Sequence, residues 1–281
     1  MISFNDLSYR YGKKTPALES ITADIPEGIY LLLGENGAGK TTLLHLIAGL
    51  LKAIPEGACT LDGAPTALRE PSVLTRTFFY SDEIPFPYRT IRQMVRHHAV
   101  FYPSFDPEML EQNLADFEMT GNEPIDQFSL GNRKKAQLAY VLALHTDVLL
   151  LDEPANGLDI TSRTKLLRMM ARCVSETQTV IISTHTVWDF QNLFDGLLVL
   201  GHGRLLVNMP IWEIASRVRF VHSPAPVEGA IYQEPEFGRF KAIVPNTAAD
   251  ETTDVDFVVL YNALQSPASR NLVELLSAPE S

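Results

Sequence analysis

The run Gly34-Glu35-Asn36-Gly37-Ala38-Gly39-Lys40-Thr41-Thr42 carries the residue types that hold a polyphosphate. Its spacing is G-x-x-x-x-G-K-[ST], a loop that cradles nucleotide phosphates. Glycines allow the backbone angles that turn successive N–H groups toward one anion. The helix that follows aims its positive end at the same place. Lys40 can reach the β- and γ-phosphates, and the Thr41 hydroxyl can ligate Mg²⁺. A second run with chemical content is Val148-Leu149-Leu150-Leu151-Asp152-Glu153-Pro154. Four apolar residues bury a strand whose C-terminal end carries two adjacent acids. Ligands gather at that end of open α/β sheets. Adjacent strand residues face opposite ways, so the two acids should differ in role. Asp152 is placed to hold Mg²⁺ or its water, and Glu153 to polarise an attacking water.

These groups need a strand–loop–helix frame, and the flanking pattern supplies one. Ile29 to Leu33 is an apolar strand, and Leu43 to Ala48 reads as the helix after the loop. Ahead of it, Ile2 to Phe4 and Leu18 to Ile25 alternate as half-buried strands do. Cys59 to Gly63 and Thr77 to Tyr80 read as short strands. A helical spacing covers Thr90 to Tyr102, and Asp106-Pro107 is a helix start with a cap residue and an N1 proline. Another helix is expected over Asn132 to Leu144. Then follow a buried strand at Asp147 to Leu151, a helix from about Thr161 to Ser175 and a strand at Thr179 to Ser183. Apolar strands alternating with helices imply an α/β fold with a parallel sheet covered on both faces. Leu197 to Leu200 and Arg204 to Val207 read as a hairpin, and Pro210 to Val218 as one amphipathic helix. Beyond Phe220 the chain is rich in proline, threonine and acid. Asp256 to Tyr261 reads there as strand-like, and Ser269 to Ser277 as a last helix.

Composition narrows the class. The chain has 281 residues, 46% hydrophobic and 20% charged, enough for a sizeable core. Its 23 basic and 34 acidic residues give a formal net charge of -11, which argues against a nonspecific nucleic-acid binder. Cys59 and Cys173 are far apart, with neither a disulfide framework nor zinc spacing, and read as buried small hydrophobes. The start lacks the basic and apolar regions of a signal peptide, and no apolar run approaches the length of a membrane helix. A soluble, cytoplasmic polypeptide is expected, with any membrane span left to another subunit.

Between the two phosphate-site runs lies Phe128-Ser129-Leu130-Gly131-Asn132-Arg133-Lys134-Lys135. With them, the chain resembles the ATP-binding cassette (ABC) family, whose signature reads roughly L-S-G-G-Q. Ser129 and Gly131 match its serine and second glycine; Leu130 and Asn132 replace the first glycine and the glutamine. The form S-L-G-x-R resembles a subgroup serving ABC-2-type exporters. A serine hydroxyl and a glycine amide at a helix start make an anion site. In the family that site faces the γ-phosphate held by the partner subunit. Ala155-Asn156-Gly157-Leu158-Asp159 looks like the D-loop of the dimer interface, and His185 like the switch histidine. Tyr11 resembles the aromatic that stacks on adenine, with Tyr9 as its rival. One position departs: the glutamine usually found after the Thr77 to Tyr80 strand is missing, and Asp82 aligns best. It is either a ligand to Mg²⁺, directly or through water, or simply a loop acid.

The resemblance covers roughly residues 1–218. It implies a P-loop NTPase of the ABC type, with a parallel core sheet, an antiparallel β subdomain and a helical subdomain at about 81–145. Residues 219–281 would be a small C-terminal appendage. It implies ATP and Mg²⁺ as ligands and a second cassette, from a homodimer or a paralogue, as partner. It also implies a separate transmembrane permease that holds the chain peripherally at the cytoplasmic face. Glu153, His185 and Lys40 would be the catalytic residues. Phe86, Tyr88, Phe101, Tyr102 and Phe105 either dock the permease or pack the helical subdomain. Two other readings stay open: a cassette ATPase that serves no transporter, and a nucleotide-gated regulatory module.

Overall fold

A computed structural model describes residues 1–13, 15–52, 55–82, 86–184, 193–246 and 253–277. The chain opens with β1 (Ile2–Arg10) and β2 (Pro16–Ile25), which pair antiparallel with Ile2 opposite Ile25. β3 (Gly28–Gly34) leads through the phosphate loop into α1 (Lys40–Ile47). β4 (Cys59–Leu61) and β5 (Ala64–Pro65) extend the first pair into a four-stranded sheet, β2-β1-β4-β5. Every pairing in that sheet is antiparallel. A short α2 (Pro71–Leu74) precedes β6 (Thr77–Ser81).

The next stretch is helical. The helix expected over Thr90 to Tyr102 is α3 (Ile91–His97) followed by a separate 3₁₀ turn at Ala99–Phe101. α4 (Pro107–Asp116) starts at the Asp106 cap, whose carboxylate accepts from the Glu108 and Met109 amides. α5 (Leu130–Ala143) begins two residues earlier than expected because Ser129 caps it. The core then continues with β7 (Val148–Asp152), α6 (Ile160–Cys173), β8 (Thr179–Ser183), β9 (Gly196–Gly201) and β10 (Arg204–Pro210). The central sheet has the order β10-β9-β3-β8-β7-β6. Only β10, the second arm of the expected hairpin, runs antiparallel to its neighbour.

Period-two alternation places the core on both faces of this sheet. Ile29, Leu31 and Leu33 of β3, with Leu149 and Leu151 of β7, face the cluster that holds α5 and α6. Tyr30, Leu32, Val148 and Leu150 face α1 and the antiparallel sheet. Both cysteines are free and buried, as expected.

After α7 (Ile211–Arg217), β11 (Val218–Ser223), β12 (Tyr232–Glu236) and β13 (Arg239–Pro245) form a small antiparallel sheet, β11-β13-β12. The strand-like reading of Asp256 to Tyr261 is corrected: this segment lies in α8 (Phe257–Gln265), and α9 (Ser269–Leu276) follows. Asp256 caps α8 through the Val258 and Val259 amides, both 3.1 Å away. The side chains of Phe257, Leu260 and Leu264 share one buried helical face. Phe220, Ile243, Phe257 and Leu260 belong to the same apolar cluster as α5 and α6.

Candidate functional site

The phosphate loop is shaped by glycines that cannot be replaced cheaply. Gly34 (φ +154°), Gly37 (φ +85°) and Gly39 (φ +106°) all lie in the left-handed half of backbone space. A Cβ on Gly39 would stand 2.6 Å from the Ala17 carbonyl oxygen. Gly39 also leaves the start of α1 without a side-chain cap, so the first helical N–H groups stay available to an anion. The Lys40 ammonium folds back over the loop, donating to the Gly34 carbonyl at 2.7 Å and the Glu35 carbonyl at 3.1 Å. Burial lowers the Lys40 pKa, and the nearby Glu153 and Asp152 carboxylates oppose that shift.

The two acids arrive at the C-terminal ends of the parallel strands, where Asp152 stands in register with Ser81 on one side and Ser183 on the other. The Thr41 hydroxyl donates to Asp152 Oδ2 at 2.8 Å. Glu153 has left the strand with φ +52°, and its N–H donates to the Ser183 carbonyl at 2.8 Å. Lys40, Thr41, Thr42, Asp152 and Glu153 therefore line one cleft of about 460 Å³ with Asn36, Gly37, Gly39, Ala17, Ser183 and Tyr11. The Tyr11 hydroxyl lies 3.3 Å from the Thr42 hydroxyl, and Tyr9 packs behind it edge-to-face rather than lining the cleft.

Ser129 and Gly131 do not line this cleft. Ser129 Oγ accepts from the Asn132 amide at 3.2 Å, as a helix cap. Leu130 beside it is 72% exposed. A Cβ on Gly131 would meet only the Gly157 carbonyl, 3.8 Å away, which sets the start of α5 beside the loop that follows β7. Asp159 caps α6, accepting from the Ser162 amide at 2.8 Å, and that bond, with the Ser162 hydroxyl and the Lys135 ammonium, lowers its pKa to about 2. Ile160, next to it, is 83% exposed. Ser129, Gly131, Asn156, Gly157 and Asp159 thus lie on neighbouring segments, and none of them lines the phosphate-loop cleft.

Asp82 follows Ser81, the register partner of Asp152. Asp82 Oδ2 accepts from the Lys134 ammonium at 2.7 Å, and Asp82 does not line the phosphate cleft. Lys134 also donates to the carbonyls of Glu153 and Asn156 at 3.0 and 2.6 Å. Sequence reasoning missed Lys134, because a lysine among Arg133, Lys134 and Lys135 reads as a solvated face; its burial follows from the rotation of α5. It also missed Tyr261 of α8, which borders a neighbouring cleft of about 370 Å³ with Gly34, Glu35, Lys40, Glu153 and Thr184. His185 lies outside the described residues. Among those described, no three His, Cys, Asp or Glu side chains converge as a metal site. A hard cation would take Thr41 and Asp152 from the protein, and the remainder of its oxygens from phosphate or water.

Residues 18–156 match the family described as ABC transporter. The chain is 30% identical over 217 residues to the ABC transporter ATP-binding protein NatA of Bacillus subtilis, covering 73% of this chain and 88% of that protein. It is 27% identical over 213 residues to the lantibiotic transport ATP-binding protein SrtF of Streptococcus pyogenes, covering 74% of this chain and 90% of that protein. A solved ATP-binding subunit of an ABC transporter superposes with a TM-score of 0.66 at 24% identity, over 76% of this chain and 91% of that one.

Proposed function

The chain belongs to the ABC transporter ATP-binding family, and from that premise we propose how this site works. It is the ATP-hydrolysing subunit of a transporter, closing head to tail with a second copy and driving a separate membrane subunit. One observation carries this reading. Phosphate loop, Thr41–Asp152 pair and Glu153 converge on one cleft, while Ser129 and Gly131 do not line it and Gly131 lies beside Gly157.

The residues fit Mg·ATP. The glycine cradle excludes side chains where phosphates must approach, and Thr41 and Asp152 offer two hard oxygens 2.8 Å apart. Mg²⁺, when bound, neutralises charge on the β- and γ-phosphates. The N–H groups from Gly37 to Thr42 hold the phosphates, and Lys40 exchanges its loop carbonyls for phosphate oxygens. Tyr11 stacks on the base. Glu153 orients and polarises the attacking water. His185 is assigned to the γ-phosphate and to holding Glu153 in place. Ser129 and Gly131 of each copy close over the other's phosphates, with Asn156, Gly157 and Asp159 along the interface. ATP favours the closed pair by its extra contacts there, and that difference supplies the work.

The membrane subunit docks on the helical subdomain. A groove of about 450 Å³ there is lined by Phe86, Pro87, Tyr88, Arg89, Ile125, Asp126 and Arg133. Phe86, Tyr88, Tyr102 and Phe105 are all partly buried against the core, and Phe101 is exposed. No helix among the described residues is long and apolar enough to cross a membrane, so attachment to the cytoplasmic face is through the permease. The S-L-G-x-R form at Ser129 to Arg133 supports export as the direction. Residues 1–218 are the nucleotide-binding domain and 219–281 its appendage. The test is Mg²⁺-dependent ATP hydrolysis by the purified chain. Wild type should turn over and Glu153→Gln should lose about 100-fold or more. Equal rates in the two proteins would overturn the assignment.

A further inference from the structure

We propose that Lys134 is a positioning residue for Glu153, and that Asp82 is its counter-ion and not a metal ligand. The inference rests on the ATPase reading above and deepens it.

The Lys134 side chain is 3% exposed, while its partner Asp82 is 38% exposed. An ammonium withdrawn from water must be paired and must use its donors. Lys134 uses all three: Asp82 Oδ2 at 2.7 Å, Glu153 O at 3.0 Å and Asn156 O at 2.6 Å. The carboxylate makes the cation tolerable, and the two carbonyls are what the cation organises.

Those carbonyls lie where the backbone is least forgiving. Glu153 holds φ +52°, an uncommon region for a residue with a side chain. Such a conformation persists only where its surroundings over-determine it. Here the Glu153 N–H is held by Ser183 O, and its carbonyl accepts from both Lys134 and the Asn156 amide. The Asn156 carbonyl, on the interface loop, is tied to the same ammonium. One buried cation therefore joins the loop after β6, the water-orienting acid and the dimer-facing loop. A glutamine at position 82 could not neutralise it. The acid at that position is explained by the lysine opposite.

The experiment uses the purified full-length chain as wild type, Asp82→Gln, Lys134→Gln and the double variant. Steady-state kinetics, equilibrium binding of a fluorescent ATP analogue across a Mg²⁺ titration, and thermal unfolding are measured on each. Lys134→Gln should lower kcat about tenfold or more through misorientation, with the KM for ATP within about twofold. Asp82→Gln should lower kcat in the same way and leave the Mg²⁺ dependence of nucleotide binding unchanged. The double variant, with two amides that satisfy each other, should recover much of the kcat lost by either single variant. If Lys134→Gln does not fold, Asp82→Gln at the half-exposed partner still carries the kinetic and Mg²⁺ readouts. A several-fold higher Mg²⁺ requirement in Asp82→Gln would make Asp82 a metal ligand and overturn the proposal. So would unchanged kcat with lowered thermal stability, or additive losses in the double variant. Absence of turnover in the wild type would sink the ATPase reading and this inference together; wild-type turnover matched by Lys134→Gln would sink this inference alone.

Discussion

Gly39 shows what chemistry demands of single residues in this chain. Its φ of +106° and the Ala17 carbonyl 2.6 Å from where a Cβ would stand leave room for nothing larger. Gly39→Ala should destabilise the chain by about 1–3 kcal/mol and weaken ATP binding more than tenfold, since the strained loop relaxes at the phosphate site. Urea unfolding and calorimetric titration check both; native affinity in this variant would remove the cradle argument. The phosphate loop, Asp152 and Glu153 were legible in the sequence because their types and spacing are set by local chemistry. Lys134 and Ser183 were not. Whether a lysine in a basic run is buried depends on how α5 rotates against β6 and β7, and no local pattern encodes that rotation.

Among elements, α8 is where tertiary packing overrode local pattern. Asp256-Phe257-Val258-Val259-Leu260-Tyr261 has the β-branched and aromatic content of a strand. The Asp256 cap and the buried Phe257–Leu260–Leu264 face decide for helix instead. Asp256→Ala should cost about 1 kcal/mol for the lost cap. Leu260→Ala should cost about 2–5 kcal/mol for a cavity in the core. Far-UV circular dichroism during urea unfolding reads both, and values near zero would contradict the packing. Helices with strong start signals, such as α4 at Asp106-Pro107, were legible. The break between α3 and the 3₁₀ turn was not: it falls at His98, whose Nδ1 lies 2.8 Å from the hydroxyl of wholly buried Tyr140. Burial lowers the His98 pKa below its ordinary 6.5. As pH falls past that value the unfolded chain takes up this proton first, so stability declines from about pH 7 downward and levels off below the folded pKa. His98→Gln should flatten that decline. Urea midpoints at pH 7.5 and 5.5 measure it, and an undiminished slope would reject the assignment.

The molecule as a whole is an α/β fold that collects the phosphate loop, Asp152 and Glu153 at the C-terminal ends of its central parallel strands, with Gly131 and Gly157 next to each other outside that cleft. The alternation of apolar strands with helices made the layered core legible. The contribution of residues beyond 218 was not, because their strands are short and their helix carries a strand-like composition. The proposed head-to-tail closure requires that Ser129 and Gly131 stand outside their own phosphate cleft, as they do. The direct test is complementation between two inactive variants. Lys40→Ala disables a chain's own phosphate loop, and Ser129→Arg disables what it lends to its partner. Each should be inactive alone. Mixed before ATP is added, they should regain part of the wild-type hydrolysis, since one site of each mixed pair is intact. No recovery from pairs that demonstrably form would contradict head-to-tail closure.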